Sequence, residues 1–421
     1  MKIAVFGATL QGAVMSTLFA ETGHFVSWCP RMDSSLFQLA NLNLDSQLIY
    51  LIEKQKKVGF LNIGGVEVLD QNFDAYLFAL DPLNIEIALD IAEILSEKAL
   101  IHPKLMINGS TFGLHGTARL QQILPKDAWV YLPDMTQDGR SVESLLQATS
   151  IVIGVDDLGF AKTQIIELMR PHFPRSEQRI LMPILDAEFT KISISGMLAT
   201  RISYMNDLAL VAEKLDIDIE NVRLGLSADK RIGASYLYPG VGFGGENFSR
   251  DILTLSQTVS DSGNKSRLLQ QVWEINEQQK EVLFRKFWNY YHSDIQGKTV
   301  AIWGAAFKEK SSSVINSPIH KMLKAFWAQG VTVKLHDPKA LKEIEVIYGQ
   351  RTDLIYCDDQ YDMAQDADAL CLVTPWRQYA NPDYQRLKQI MKHPFILDGR
   401  NFYDPNYVKA QGFAYEGVGR L

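Results

Sequence analysis

The residues that could do chemistry in this 421-residue chain sit around two glycine turns and one glycine-rich loop. The first turn, Gly7-Ala8-Thr9-Leu10-Gln11-Gly12, follows the apolar run Lys2 to Phe6 and precedes a helical pattern over Ala13 to Gly23. A strand, a glycine turn and a helix in that order form a dinucleotide-binding opening. Its first glycine makes the turn, its second admits a pyrophosphate, and its third lets helix pack on strand. Gly7 and Gly12 fill the first and third places, but Thr9 brings a branched side chain to the second. The second strand, ending in Trp28-Cys29-Pro30-Arg31, has Pro30 where an NAD site carries an acid for the ribose. Arg31 could instead meet a 2′-phosphate. Three readings stand: NAD, NADP, or a sheet whose cofactor site has decayed and binds neither.

The second feature is the loop Gly240 to Gly245, with Asn247, Arg250 and Asp251 just after it. The third is Gly304, which ends a second strand-then-glycine pattern, Lys298 to Gly304. The cysteines Cys29, Cys357 and Cys371 form neither a metal spacing nor a disulfide framework, and the eight histidines show no metal pairing, so no metal is expected. A net charge of −7 argues against nucleic acid. No run of 18 apolar residues exists to span a membrane, and the cysteine usage with no signal-type N-terminus predicts a cytoplasmic protein.

The elements that must position these residues follow from hydrophobic pattern. Apolar runs at 2–6, 24–29, 75–80, 105–108 and 151–155, with helical stretches between them, predict an open, mostly parallel α/β sheet. Asp186 to Leu215 has no proline and one glycine, which predicts a helix of about 45 Å. A further helical run is expected over 265–291. The runs 298–304, 331–338, 369–374 and 395–398 predict a second sheet.

Two segments carry a family resemblance. Asp229-Lys230-Arg231-Ile232-Gly233, leading into Tyr236 to Gly245, and Gly304-Ala305-Ala306-Phe307-Lys308 with Ser317-Pro318 resemble the UDP-glucose/GDP-mannose dehydrogenase family. Ala187-Glu188 with Lys191, Ala199 to Ser203, and Asp398 to Asn401 follow in family order. The resemblance implies two Rossmann-like parallel-sheet domains joined by a long central helix: a dinucleotide-binding domain at 1–185, a dimerisation domain at 186–296 and a nucleotide-sugar-binding domain at 297–421. It further implies a homodimer, a UDP- or GDP-hexose ligand, and oxidation of an alcohol carbon to a carboxylate by two NAD+ through a cysteine thioester.

Carried over residue by residue, the family motif G-F-G-G-S-C-F-P-K-D reads Gly242-Phe243-Gly244-Gly245-Glu246-Asn247-Phe248-Ser249-Arg250-Asp251, so the nucleophile position is an amide. The catalytic lysine matches Lys191, its asparagine partner is Ser195, and the glutamate of P-E-F-L-x-E-G is Asp134. The arginine of T-D-D-x-R is Ile315. The positions that hold the nucleotide-sugar persist: Arg231, Tyr236, Leu237, Gly242, Gly244, Gly245, Lys308 and Arg400. This pattern implies a binding, regulatory or assembly homologue that retains its sugar-nucleotide but not the two-step oxidation. Packing alone is the other account of the glycines. The alternative activity is a diverged enzyme that stops at the aldehyde, with NADP on Arg31 and Lys191, Asp251 and Ser195 serving the hydride step. An ordinary dehydrogenase that tolerates the changes is the third.

Overall fold

The computed structural model describes residues 1–31, 42, 44–98 and 103–420. Its contacts divide the chain into two compact units, Met1–Ser193 and Ile194–Leu421. The division falls inside one helix, Ile184–Lys214.

In the first unit, β1 (Lys2–Phe6), β2 (Phe25–Cys29), β3 (Leu61–Ile63), β4 (Ala75–Phe78), β5 (Leu105–Asn108), β6 (Ala128–Tyr131), β7 (Ile151–Val155) and β8 (Arg179–Met182) form a sheet in the order β3-β2-β1-β4-β5-β6-β7-β8. The order reverses between β1 and β4, the switch point at which a ligand crevice opens in such sheets. β4, β5 and β6 are buried along their whole length, which is why their sequences read as unbroken apolar runs. One sheet face packs Val5, Trp28, Leu77 and Ile107 against Val14, Leu18 and Ile165; the other packs Phe6, Phe78, Met106 and Trp129 against Ile91 and Leu120.

One pairing departs from the parallel pattern. β6 and β7 are antiparallel, in the register Val130↔Val155. The connection holds a helix of only six residues, Ser141–Leu146. At about 1.5 Å per residue it is too short to carry the chain back across the sheet, as a parallel crossover requires.

In the second unit, β9 (Thr299–Trp303), β10 (Thr332–His336), β11 (Leu354–Tyr356), β12 (Ala369–Leu372), β13 (Phe395–Asp398) and β14 (Ala414–Gly417) form an all-parallel sheet in the order β11-β10-β9-β12-β13-β14. The helical run expected over 265–291 is two helices, Arg267–Gln279 and Val282–Tyr290, separated at Lys280 and Glu281. The break falls in the polar stretch Asn276 to Glu281, which has neither the proline nor the glycine that would mark a helix end in sequence. Among the described residues no helix is long and apolar enough to cross a membrane.

Candidate functional site

The glycine-rich loop of the second unit has no ladder to satisfy its backbone, so buried polar side chains do so. Asn206, on the long helix and fully buried, accepts from Gly240 N at 2.8 Å, and Gln279 Nε2 donates to Gly240 O at 2.9 Å. Asn276 brackets Phe243, accepting from its N at 2.7 Å and donating to its O at 3.2 Å. Val241 N donates to Gly399 O at 3.0 Å, just past β13, and Gly245 N donates to Ile315 O at 2.9 Å. Gly242 and Gly245 hold φ of +85° and +89°, the left-handed region that glycine occupies at no cost. Gly244 is different. A Cβ there would lie 2.6 Å from Asn316 O, so close backbone packing already demands glycine.

Two cations flank this loop. Arg400 donates from Nε to Val373 O at 2.7 Å and from Nη1 to Gly242 O at 3.4 Å. Desolvation pulls its guanidinium down to about 10, with Asp398 opposing. Lys308 Nζ lies 5.3 Å over the Phe307 ring, and that ring packs against Gly245. Leu237 is buried in the unit's core, so its side chain serves packing. Tyr236, at φ +61°, sets its ring 6.4 Å from that of Phe248. Arg231 is 89% exposed along its side chain and pairs with Asp229 at 2.6 Å.

The loop delivers the chain into the helix Glu246–Asp261, for which Gly245 supplies no side-chain cap. Asn247 stands exposed in its first turn. Its Oδ1 accepts from Arg250 Nη2 at 3.0 Å, and Arg250 also pairs with Glu246 at 3.2 Å. Because the guanidinium must face the amide oxygen, the Asn247 NH2 is turned away from it. One turn on from Asn247, Asp251 is buried and accepts from Ser195 Oγ at 2.7 Å. Lys191 lies one turn before Ser195 on the long helix. Thus Asn247, Asp251 and Ser195 are gathered in the second unit. Asp134 belongs to the first, where its Oδ1 accepts from Thr136 N at 2.9 Å and Thr136 Oγ1 at 2.6 Å.

The glycine turn of the first unit is closed by its own side chains. Gly7 has φ +119°, and a Cβ there would strike Ala79 O. Thr9 caps the helix Leu10–Glu21: its Oγ1 accepts from Gly12 N at 3.0 Å and donates to Ala79 O at 2.6 Å. The helix therefore begins at Leu10, three residues earlier than its apolar pattern suggested. A side-chain cap explains the difference. Trp28 Nε1 donates to Gly7 O at 2.9 Å, and Arg31 is exposed past the end of β2.

Burial pushes the Cys29 thiol up to about 11 and raises Cys357 and Cys371 as well. Cys371 is wholly buried in β12, and Cys357 follows β11, the outer strand of its sheet.

Residues 185–278 match the model of the central domain of the UDP-glucose/GDP-mannose dehydrogenase family, and residues 301–405 match that of its UDP-binding domain. The UDP-glucose 6-dehydrogenase of Pseudomonas aeruginosa is 30% identical, covering 100% of this chain and 98% of that enzyme. The chain belongs to the UDP-glucose/GDP-mannose dehydrogenase family. The UDP-glucose 6-dehydrogenase TuaD of Bacillus subtilis is 28% identical over 100% of this chain and 93% of its own length. A UDP-glucose dehydrogenase from Pyrobaculum islandicum shares the fold with a TM-score of 0.87 at 22% identity, covering 100% of this chain and 98% of that one.

Within this family architecture, three residues matter to which the motifs gave no role. Gln11 is buried, donates from Nε2 to Leu132 O at 3.1 Å and lies against Gly109. Glu188 is buried and takes three donors: His115 N and Thr117 N at 2.8 Å and Thr117 Oγ1 at 2.7 Å. The last is Asp337, whose carboxylate binds the turn after Gly304. Glu188 lay inside a matched segment, but nothing in that segment pointed to the helix Gly116–Ile123 that it caps. Glu188→Ala strands two backbone N–H groups and a hydroxyl, so it is expected to destabilise the first unit by about 3 kcal/mol. Urea unfolding followed by circular dichroism checks this, and a change below about 1 kcal/mol would contradict it. Among the described residues no group of three or more His, Cys, Asp or Glu side chains is placed to hold a metal ion.

Proposed function

We propose that this family member binds a UDP- or GDP-hexose on its second unit and does not carry out the two-step oxidation of the sugar. The observation that carries the reading is the contrast within one short segment. The loop through Gly242, Gly244 and Gly245 is held by Asn206, Asn276 and Gln279 and flanked by Arg400 and Lys308. Six residues or fewer further on, the helix head presents the Asn247 amide, held by Arg250.

An amide nitrogen has no lone pair free to attack an aldehyde, so no thioester forms at position 247. Burial raises all three thiols above their ordinary range, the opposite of the shift that activates a nucleophile. What remains is binding chemistry. Arg400 and Lys308 supply positive charge and donors for a diphosphate and sugar, and Arg231, exposed beside Asp229, is open to a second copy. Tyr236 contributes the loop's entry, and Leu237 anchors that entry in the core. Lys191, Ser195, Asp251 and Asp134 match the family's catalytic positions in sequence, and of these Ser195 and Asp251 are hydrogen-bonded to each other. The proposal keeps domains at 1–185, 186–296 and 297–421, a reading that the family matches over 185–278 and 301–405 support.

The residues of the first unit fit a dinucleotide poorly. Thr9 Oγ1 takes the Gly12 N–H and puts a branched side chain at the pyrophosphate approach, and no acid ends β2. NAD or NADP is therefore outside the proposed role. A homodimer fits the long helix, where Met197, Tyr204 and Val211 recur at intervals of seven and stand 63%, 53% and 49% exposed.

The test is titration calorimetry of the purified protein with UDP-glucose and GDP-mannose, alongside absorbance at the reduced-nicotinamide band with NAD+ or NADP+. Binding without reduced cofactor is expected. Two equivalents of NADH per sugar would overturn the reading, and one equivalent of NADPH with an aldehyde product would select the alternative oxidation.

A further inference from the structure

The most deeply buried cation the nucleotide-sugar reading leaves unused is Lys280, whose side chain is 2% exposed. It stands at the break between the helices Arg267–Gln279 and Val282–Tyr290. Its Nζ donates at 2.6 Å to Glu277 Oε1 and at 2.6 Å to Asn316 Oδ1. The other Glu277 oxygen takes Lys321 Nζ at 3.0 Å. Asn316 passes the connection on, donating from Nδ2 to Ser249 Oγ at 2.6 Å. Ser249 is in the first turn of the helix that carries Asn247. Asn316 holds φ +54°, and its carbonyl presses on Gly244. The Lys280 stem itself lies 3.5 Å from where a Gly242 Cβ would be.

We propose that Lys280 is a positioning residue: through Asn316, its ammonium fixes the loop Gly242–Gly245 and the head of the following helix in the conformation that receives ligand. Burying an ammonium is costly unless it is fully partnered. Here Glu277 and Asn316 join the ammonium to segments that pack on the loop. Burial lowers the Lys280 ammonium from its ordinary range while Glu277 opposes the shift. The role in ligand binding rests on the proposed nucleotide-sugar reading; the role in ordering the loop does not.

Two variants separate the ammonium from the packing of its stem. Lys280→Met keeps the stem and removes the donor. Asn316→Gly keeps the left-handed backbone and removes the acceptor. Hydrogen exchange of full-length protein is expected to show amides 241–249 exchanging about tenfold faster in each variant, with β9, β12 and β13 unchanged. The double variant should add no more than about twofold, because both lesions break one connection. The affinity for UDP-glucose should fall about 30-fold in each. Unchanged loop exchange in Lys280→Met overturns the proposal. So does a response in Lys280→Met that Asn316→Gly fails to reproduce, which would assign the effect to the stem, and so does faster exchange with unaltered affinity. If the unsubstituted protein binds neither UDP-glucose nor GDP-mannose, the nucleotide-sugar reading fails, and the exchange data still decide whether Lys280 orders the loop.

Discussion

Asp337→Ala is expected to cost the second unit several kcal/mol, enough to leave the protein largely unfolded or insoluble. The side chain is 3% exposed. Its Oδ2 accepts from Ala305 N at 2.7 Å, Ala306 N at 3.0 Å and Trp376 Nε1 at 3.0 Å; its Oδ1 accepts from Lys339 N and Ala340 N, both at 2.8 Å. Alanine strands all of these donors in a site closed to water. Each stranded donor costs about 1–3 kcal/mol, against a total stability of about 5–15 kcal/mol for a typical domain. Asp337→Asn should be nearly as harmful. An amide turned to serve one side places its NH2 against donors on the other. Soluble yield and thermal unfolding of both variants measure this. An asparagine variant within about 1 kcal/mol of the parent would show that the carboxylate is dispensable.

Arg400→Met is expected to weaken UDP-glucose binding by about 100-fold, with a smaller effect on folding. The guanidinium donates to Val373 O and Gly242 O, so it joins the end of the second sheet to the glycine-rich loop while supplying charge beside it. Charge-assisted hydrogen bonds are worth about 1.5–3 kcal/mol each, and a loss of about 2.8 kcal/mol in binding is 100-fold. Lysine should not rescue, because an ammonium cannot reproduce a planar fork reaching two carbonyls. Titration calorimetry against UDP-glucose gives the answer. Affinity within fivefold of the parent would remove Arg400 from the ligand site.

Much of the fold was legible because it is written in local patterns. The strands at 2–6, 395–398 and 369–372 are short unbroken apolar runs, since both faces of a parallel sheet are covered. The helix Ile184–Lys214 was visible as a long stretch free of proline. The antiparallel β6–β7 pair was not legible, because direction depends on where a connection ends in space. Nor was the break at Lys280, where a buried ion network lies in a stretch with neither proline nor glycine to mark a helix end.

The candidate site divides in the same way. That position 247 carries an amide, that the turn at 7–12 lacks its middle glycine and that no acid follows Trp28-Cys29 are matters of residue identity, and the sequence alone determines them. Tertiary structure alone decides what each surviving residue faces. Gly244 is required by the carbonyl of Asn316, and Thr9 spends its hydroxyl on Gly12 and Ala79. Asp337 turns inward to Ala305 and Ala306, and Asn247 is held by Arg250. The physical reason is range. Side-chain chemistry is fixed by the residue itself, whereas its hydrogen-bond partners can lie tens of positions away and are chosen only when packing brings them within about 3 Å.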